Sequence, residues 1–326
     1  MKIENWIFVT GAPRSGTTFV GHTLSAPLQV DYIHEPFNPD CGISGINRRF
    51  LYLRPDGSDS AAVRESIGGL FRYDVKLSTG YYPEDSVLKK GVKAIVGSRG
   101  PFYLRLAKIN PFHTAAVVKD PVGCLLTAYL AEQHRVRPVV MVRHPVAVAA
   151  SVKRLGWKPD LEFLAGQPHL AEDYFQSDCW ADADLSTPIR AAAWEWRALN
   201  TVLLAQAALH PDWLLIRHED LSAEPVATFR TLYRELDLPW SDRLERDVLR
   251  RTRGSNPTEA RRGRTQDFSR DSRGLLDLRL GMLTAEERRE VFAITEDVAL
   301  DLYPEESFRL ESADGPGVDA RWETGP

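Results

Sequence analysis

The sequence predicts an α/β fold: a phosphate-loop-type parallel sheet with helices on both faces, long loops and a C-terminal helix. Three observations predict it. Short apolar runs recur along the chain, each stops at Gly or at a residue followed by Pro or a charge, and most lead into a helical pattern. Such runs read as strands buried on both faces, and their alternation with helices reads as βαβ units.

The first run is NWIFVT at 5–10, ending at Gly11 and followed by a helix from Gly16 to about Ala26. VDYIH at 30–34 is the second and stops at Glu35-Pro36. AAVVK at 115–119 is the third; it stops at Asp120-Pro121 and leads into a helix to about Gln133. PVVMVR at 138–143 is the fourth and stops at His144-Pro145, with a helix to about Leu155. WLLIR at 213–217 is the fifth, after a long helix over about 189–209. Residues 38–57, 77–100 and 167–188 read as irregular stretches or long loops with short elements, and 250–273 is dense in Arg, Ser, Gly and Asp without apolar periodicity. Loops over a rigid sheet are where ligand contacts gather. The last helix, over about 284–302, opens with Thr284-Ala285-Glu286-Glu287, a capping-box pattern. One domain over 1–310 is expected, with a disordered tail over 311–326.

Bulk properties narrow the classes. The 326 residues are 43% hydrophobic and 26% charged, enough for a sizeable core. A net charge of −4 argues against a general nucleic-acid or anionic-membrane binder, which needs a basic field, and leaves room for local basic sites. Cys41, Cys124 and Cys179 are far apart and form no CxxC pair, so free thiols in a reducing cytoplasm are expected. No run approaches 18 uncharged apolar residues, so stable membrane insertion is not expected.

The strongest chemical signal is the strand–GAPRSGTT–helix pattern at Gly11–Thr18. The spacing of Gly11 and Gly16 lets successive N–H groups curl round one anion at a helix N-terminus. Thr17 and Thr18 offer hydroxyls in the first turn, and Arg14 is the cation within the loop. A Walker A loop carries Lys directly after its second Gly, where this chain has Thr17, and that weakens ATPase, GTPase and kinase readings.

Pro13-Arg14-Ser15-Gly16-Thr17-Thr18 resembles the 5′-phosphosulfate-binding loop of PAPS-dependent sulfotransferases. Val142-Arg143-His144-Pro145, with Ser151 eight residues beyond the Arg, is similar to that family's 3′-phosphate element. Trp194-Glu195-Trp196, Ile216-Arg217-His218-Glu219-Asp220-Leu221 and the final helix also resemble bacterial and Golgi-type members. The resemblance implies a donor, PAPS, held by Gly11, Pro13, Arg14, Ser15, Gly16, Thr17, Thr18, Arg143 and Ser151, and released as PAP. It extends loosely to Arg264 and Arg270 in a basic late loop. It also implies transfer of a sulfonate to the hydroxyl of a carbohydrate, a glycolipid or a secondary metabolite.

Sulfonyl transfer needs positioning and charge stabilisation more than covalent help. The sulfonyl group carries less charge than a terminal phosphate, so no metal is expected. Arg14 and Lys119 are the candidate cations for the bridging oxygen. The acceptor hydroxyl needs a base; Golgi-type members use a Glu downstream of the loop, and Glu35 is similarly placed, with His34 in reserve. Two other readings stay open: a phosphate-loop kinase with Asp120 as magnesium ligand, and a nucleotide-binding module without catalysis.

Overall fold

A computed structural model of the chain describes residues 3–56, 60–81, 86–175, 180, 183–252 and 281–309. Its frame is a five-stranded parallel sheet. The strands are β1 (Asn5–Thr10), β2 (Val30–His34), β3 (Ala115–Lys119), β4 (Arg137–Val142) and β5 (Leu214–Arg217), in the order β2-β3-β1-β4-β5. Every predicted strand is present to within a residue at either end.

The helices in chain order are α1 (Thr17–Leu24), α2 (Ala61–Leu70), α3 (Val87–Val96), α4 (Arg99–Ile109), α5 (Thr127–His134), α6 (Pro145–Leu155), α7 (Pro168–Tyr174), α8 (Pro188–Leu209), α9 (His218–Ala223), α10 (Pro225–Glu235), α11 (Asp242–Thr252) and α12 (Ala285–Ala299). Alternate side chains of each strand face opposite layers. Phe8, Val118, Val140 and Val142 join cores built with α5, α6, α8 and α12, whereas Ile7, Val9, Val139 and Met141 face α1, α10 and α11. Both faces are therefore covered, which is why the strands read as continuous apolar runs. The capping box at Thr284 is complete: its hydroxyl accepts from the Glu287 amide and the Glu287 carboxylate accepts from the Thr284 amide.

Two stretches depart from the sequence reading. Residues 77–100, read as a long loop with short elements, hold the ten-residue α3 and the start of α4. Leu, Lys, Val and Ala around the single Gly91 favour a helix, and Gly97, at φ 88°, turns the chain between the two. Residues 167–188 likewise contain α7, opened by Pro168 in the first turn. The expected tail at 311–326 and most of the Arg-rich stretch at 250–273 lie outside the described residues.

The strand order places the winding reversal between β1 and β4. The chain leaves β1 towards β2 and leaves β4 towards β5, so the loops after these neighbouring strands diverge and open a crevice. At the neighbouring β3, Asp120 fastens the same sheet edge. It is fully buried, and its carboxylate accepts the amides of Phe37 at 2.6 Å, Val122 at 2.9 Å and Gly123 at 3.1 Å. Thr10 donates its hydroxyl to the Asp120 carbonyl at 2.8 Å, tying β1 to the same corner. With both oxygens committed to backbone amides, Asp120 is a structural clamp and is not exposed as a magnesium ligand. Asp120→Ala should therefore lower the unfolding free energy by about 3 kcal/mol or more in urea denaturation, because three buried amides lose their acceptor.

Candidate active site

The loop after β1 is shaped by close approaches that only glycine permits. A Cβ on Gly11 would lie 2.0 Å from the Met141 carbonyl oxygen of β4, and one on Gly16 would lie 2.7 Å from the His218 imidazole at the end of β5. Gly11 and Gly16 take φ of 141° and 92°, and Arg14, without glycine's freedom, is held at φ 73°. A residue with a side chain in that region costs about 1–2 kcal/mol and persists only where its surroundings enforce it. Ser15 is wholly buried, and its hydroxyl finds no hydrogen-bond partner among the described residues. A buried hydroxyl left unsatisfied costs about 1–3 kcal/mol. An anion cradled by the loop would accept that proton, so the loop fits a phosphate-like group. Thr17 and Thr18 are buried in the first turn of α1.

Arg14, Arg143 and Ser151, expected to serve two separate pockets, form one junction. Arg143 donates from a terminal guanidinium nitrogen to the Arg14 carbonyl at 3.0 Å, and Arg14 Nε donates to Ser151 Oγ at 3.0 Å. The Arg14 guanidinium also lies over the Trp157 ring, 5.4 Å from its centroid. Behind it, Trp196 of α8 donates its indole N–H to the Arg143 carbonyl at 2.8 Å, fixing the turn between β4 and α6.

The same turn explains two of the other motifs. His144 caps α6, its Nδ1 accepting from the Val146 amide at 3.3 Å, which leaves Nε2–H to donate to the Ser307 hydroxyl at 3.1 Å. Burial, then the neighbouring Arg143, pushes His144 down to about 3, so the ring is neutral. Glu219 accepts the His144 amide at 3.1 Å and the Tyr303 hydroxyl at 2.9 Å. Glu219 and the segment after α12 thus brace the loop that carries Arg143.

On the other side of the Gly11–Thr18 loop, Glu35 and Lys119 form a buried pair. Lys119 is fully buried, and its ammonium donates to Glu35 Oε1 at 2.5 Å; Asn38 donates to Oε2 at 3.0 Å. Glu35 sits at φ 48°, with its amide bonded to the Lys119 carbonyl at 2.8 Å. Burial alone would push the Glu35 carboxyl up. The Lys119 ammonium, His34 and the hydrogen bonds from Lys119 and Asn38 override it and hold the group at about 2. His34 Nδ1 lies 3.1 Å from the Tyr32 hydroxyl. Burial and then Lys119 push His34 down to about 3, although Glu35 pulls the other way, so His34 is neutral at ordinary pH.

Pro13 borders a second feature, a cleft of about 600 Å³ lined also by Arg49, Phe50, Trp157, Asp160 and Glu195. Glu195 stands between Trp194 and Trp196 on α8. It forms no hydrogen bond or ion pair among the described residues, and burial, opposed by Arg49 and aided by Asp160, raises it to about 7. The sequence shows Glu195 only as part of a motif; a lone acid inside an otherwise apolar helical stretch was the available signal. Arg264 and Arg270 lie outside the described residues.

The fold and site define an open parallel α/β domain with a glycine-built loop at its winding reversal. No protein-family model and no curated protein sequence matches the chain. Solved structures similar to it include sulfotransferases. A sulfotransferase domain from the curacin biosynthetic pathway aligns at 17% identity and a TM-score of 0.49, covering 93% of this chain and 98% of that one. Sulfotransferase STF9 from Mycobacterium avium aligns at 14% and 0.44, covering 91% and 77%, and mouse sulfotransferase SULT7A1 complexed with PAP at 12% and 0.42, covering 92% and 86%. Likeness at this level assigns no chemistry to individual residues.

The pair makes a pH prediction. Glu35 is held near 2 in the fold against an ordinary 4.5, so its contribution to stability is complete above about 4.5 and is lost as pH falls towards 2. Between those values the stability of the native chain should fall more steeply than that of Glu35→Gln, measured by denaturant titration at a series of pH values.

Proposed function

We propose that this chain is a sulfotransferase that moves a sulfonate from PAPS to an acceptor hydroxyl and releases PAP. The observation that carries the proposal is the junction at the sheet edge: the Gly11–Thr18 loop and the Arg143–Ser151 element meet through the Arg14 contacts at 3.0 Å. A donor with anionic groups at its 5′ and 3′ positions needs two adjoining anion sites, and this junction at the crevice between β1 and β4 would supply both. The Gly11–Thr18 amides, the Ser15 hydroxyl and the α1 N-terminus would hold the 5′ side. Arg143 and Ser151 would hold the 3′-phosphate, Ser151 exchanging its bond to Arg14 for one to the phosphate.

The bound donor supplies an electrophilic sulfonyl group and a stable leaving group. In the chemistry proposed, the acceptor oxygen forms a bond to sulfur as the bond from sulfur to the bridging oxygen breaks, and Glu35 takes the acceptor's proton. At about 2 and paired with Lys119, Glu35 is a weak base in the resting site. An anion beside Lys119 competes for its ammonium. Glu35 stays buried as that partner is drawn off, and burial then pushes its carboxyl up towards a base's working range. Lys119 would in the same movement stabilise charge on the bridging oxygen. Donor binding and base activation are thereby coupled through one cation.

Glu195 supports a second assignment of the base. It faces the cleft beside Pro13, carries no partner among the described residues and is already raised to about 7. Two variants separate the assignments. Glu35→Gln should keep its affinity for PAP and lose about 10²-fold or more in turnover of PAPS with an accepted hydroxyl substrate; Glu195→Gln should leave turnover within about threefold. The reverse pattern moves the base to Glu195. In calorimetry, PAP should bind more tightly than ATP with magnesium, and the opposite order favours a kinase.

A further inference from the structure

The charge of the chain is unevenly placed. Residues 86–113 contain six Lys or Arg and no Asp or Glu, in a chain whose net charge is −4. This stretch is α3, α4 and the turn after them. Helix α4 is apolar on two sides. Its inner side, Pro101, Leu104 and Ala107, is buried and packs on β2. Its outer side presents Phe102, Leu106 and Ile109, spaced four and three residues apart, and Ile109 is 74% exposed. Val87, Leu88 and Val92 are exposed on α3. Lys90, Arg99, Arg105 and Lys108 are exposed among them.

The patch extends past the helix and is held in shape. Leu28 and Phe112 are 79% and 64% exposed. One side chain fixes both: the Asn110 amide donates to the Leu28 carbonyl at 3.0 Å and to Asp31 at 2.8 Å, and its oxygen accepts from the Phe112 amide at 3.0 Å. Asp31 is itself buried and accepts from Tyr73 at 2.6 Å. A bonded network of this kind keeps three large apolar side chains, Leu28, Ile109 and Phe112, turned to solvent. Scattered exposed leucines need no explanation, but a braced group interleaved with cations does.

We infer that the α3–α4 face is a docking surface for a bilayer bearing anionic headgroups. Apolar side chains at helical spacing with interleaved Lys and Arg form the pattern that lies in the plane of a membrane interface: rings and branched chains enter the acyl boundary, and long basic stems reach back to phosphate. Whole-chain charge argues against a general membrane binder, and the basic patch is the local exception. A second copy of the chain is a poor occupant, because a symmetric contact would set Lys90, Arg99, Arg105 and Lys108 of each copy against those of the other. The face also adjoins the candidate active site. Tyr103 of α4 packs edge-on against Tyr32, ring centroids 4.9 Å apart, and Gly100 lies so close to His34 that a Cβ there would be 3.2 Å from its carbonyl oxygen. A bilayer on this face would bring hydroxyls at its surface to the edge that carries Glu35.

The test is co-sedimentation of the full chain with vesicles of phosphatidylcholine alone and of phosphatidylcholine with phosphatidylserine. Binding is expected to the mixed vesicles only and to weaken as salt rises. Lys90→Ala, Arg105→Ala and Lys108→Ala together should weaken it about 10²-fold, since each basic residue near a membrane surface contributes about 1 kcal/mol. Leu106→Ser with Ile109→Ser should abolish it. All these positions are exposed. Lys108 also donates to the Val75 carbonyl at 3.1 Å, so the melting temperature is measured for each variant and should stay within about 4 °C of wild type. PAP binding supplies a separate readout that membrane docking leaves unchanged. Equal sedimentation with both vesicle types, no sedimentation of the folded chain, or a vesicle-free dimer that the serine variants dissolve would each overturn the inference.

Discussion

The hydrogen bond from Arg143 to the Arg14 carbonyl is the contact on which the site depends. It joins the loop after β1 to the loop after β4, the two segments that diverge at the winding reversal of the sheet. Without it the glycine-built loop and the Arg143–Ser151 element are neighbours by topology alone. With it, Arg14 is held at φ 73°, the orientation from which Nε reaches Ser151. The support runs deeper into the fold, through Trp196 on the Arg143 carbonyl and Glu219 on the His144 amide. Long helix α8 and the segment after α12 thus help hold a loop that neither adjoins in sequence.

A second constraint lies on the β3 side of the loop, where a wholly buried Lys119 meets Glu35. A buried ion pair is costly to desolvate and adds little net stability, so its presence here points to a use beyond folding. The proposed use is a stored base: a carboxylate held ionised by a cation that an incoming anion can draw away. Asp120, one residue beyond Lys119, is fully committed to backbone amides, and the clamp keeps the strand end that carries Lys119 in register with Glu35.

Much of this was legible in the sequence. The five strands sit within a residue of their apolar runs because strands buried on both faces leave an unbroken signal, and the Gly11–Thr18 loop was visible because only glycine fits beside Met141 and His218. Arg14, Arg143, Ser151, Glu35 and Lys119 all lie at one edge, as a parallel sheet requires of residues that follow its strands. Other features were hidden. The Glu35–Lys119 bond links positions 84 residues apart, and nothing local in either strand announces it. Helix α3 was obscured by the glycines at 91 and 97, and α4 by outward apolar residues that blur the usual two-sided pattern. Glu195 was concealed by the tryptophans that flank it.

The central claim is that Arg143 reads a 3′-phosphate while the Gly11–Thr18 loop reads the 5′ end of the same nucleotide. Calorimetric titration of wild type and Arg143→Ala with PAP and with adenosine 5′-monophosphate, which lacks the 3′-phosphate, tests it most directly. A hydrogen-bonded contact between charged groups is worth about 2 kcal/mol, so the substitution should weaken PAP about 30-fold more than it weakens the monophosphate. Equal losses for the two ligands would mean that Arg143 only braces the Arg14 loop, and the two-site account of the donor would be wrong.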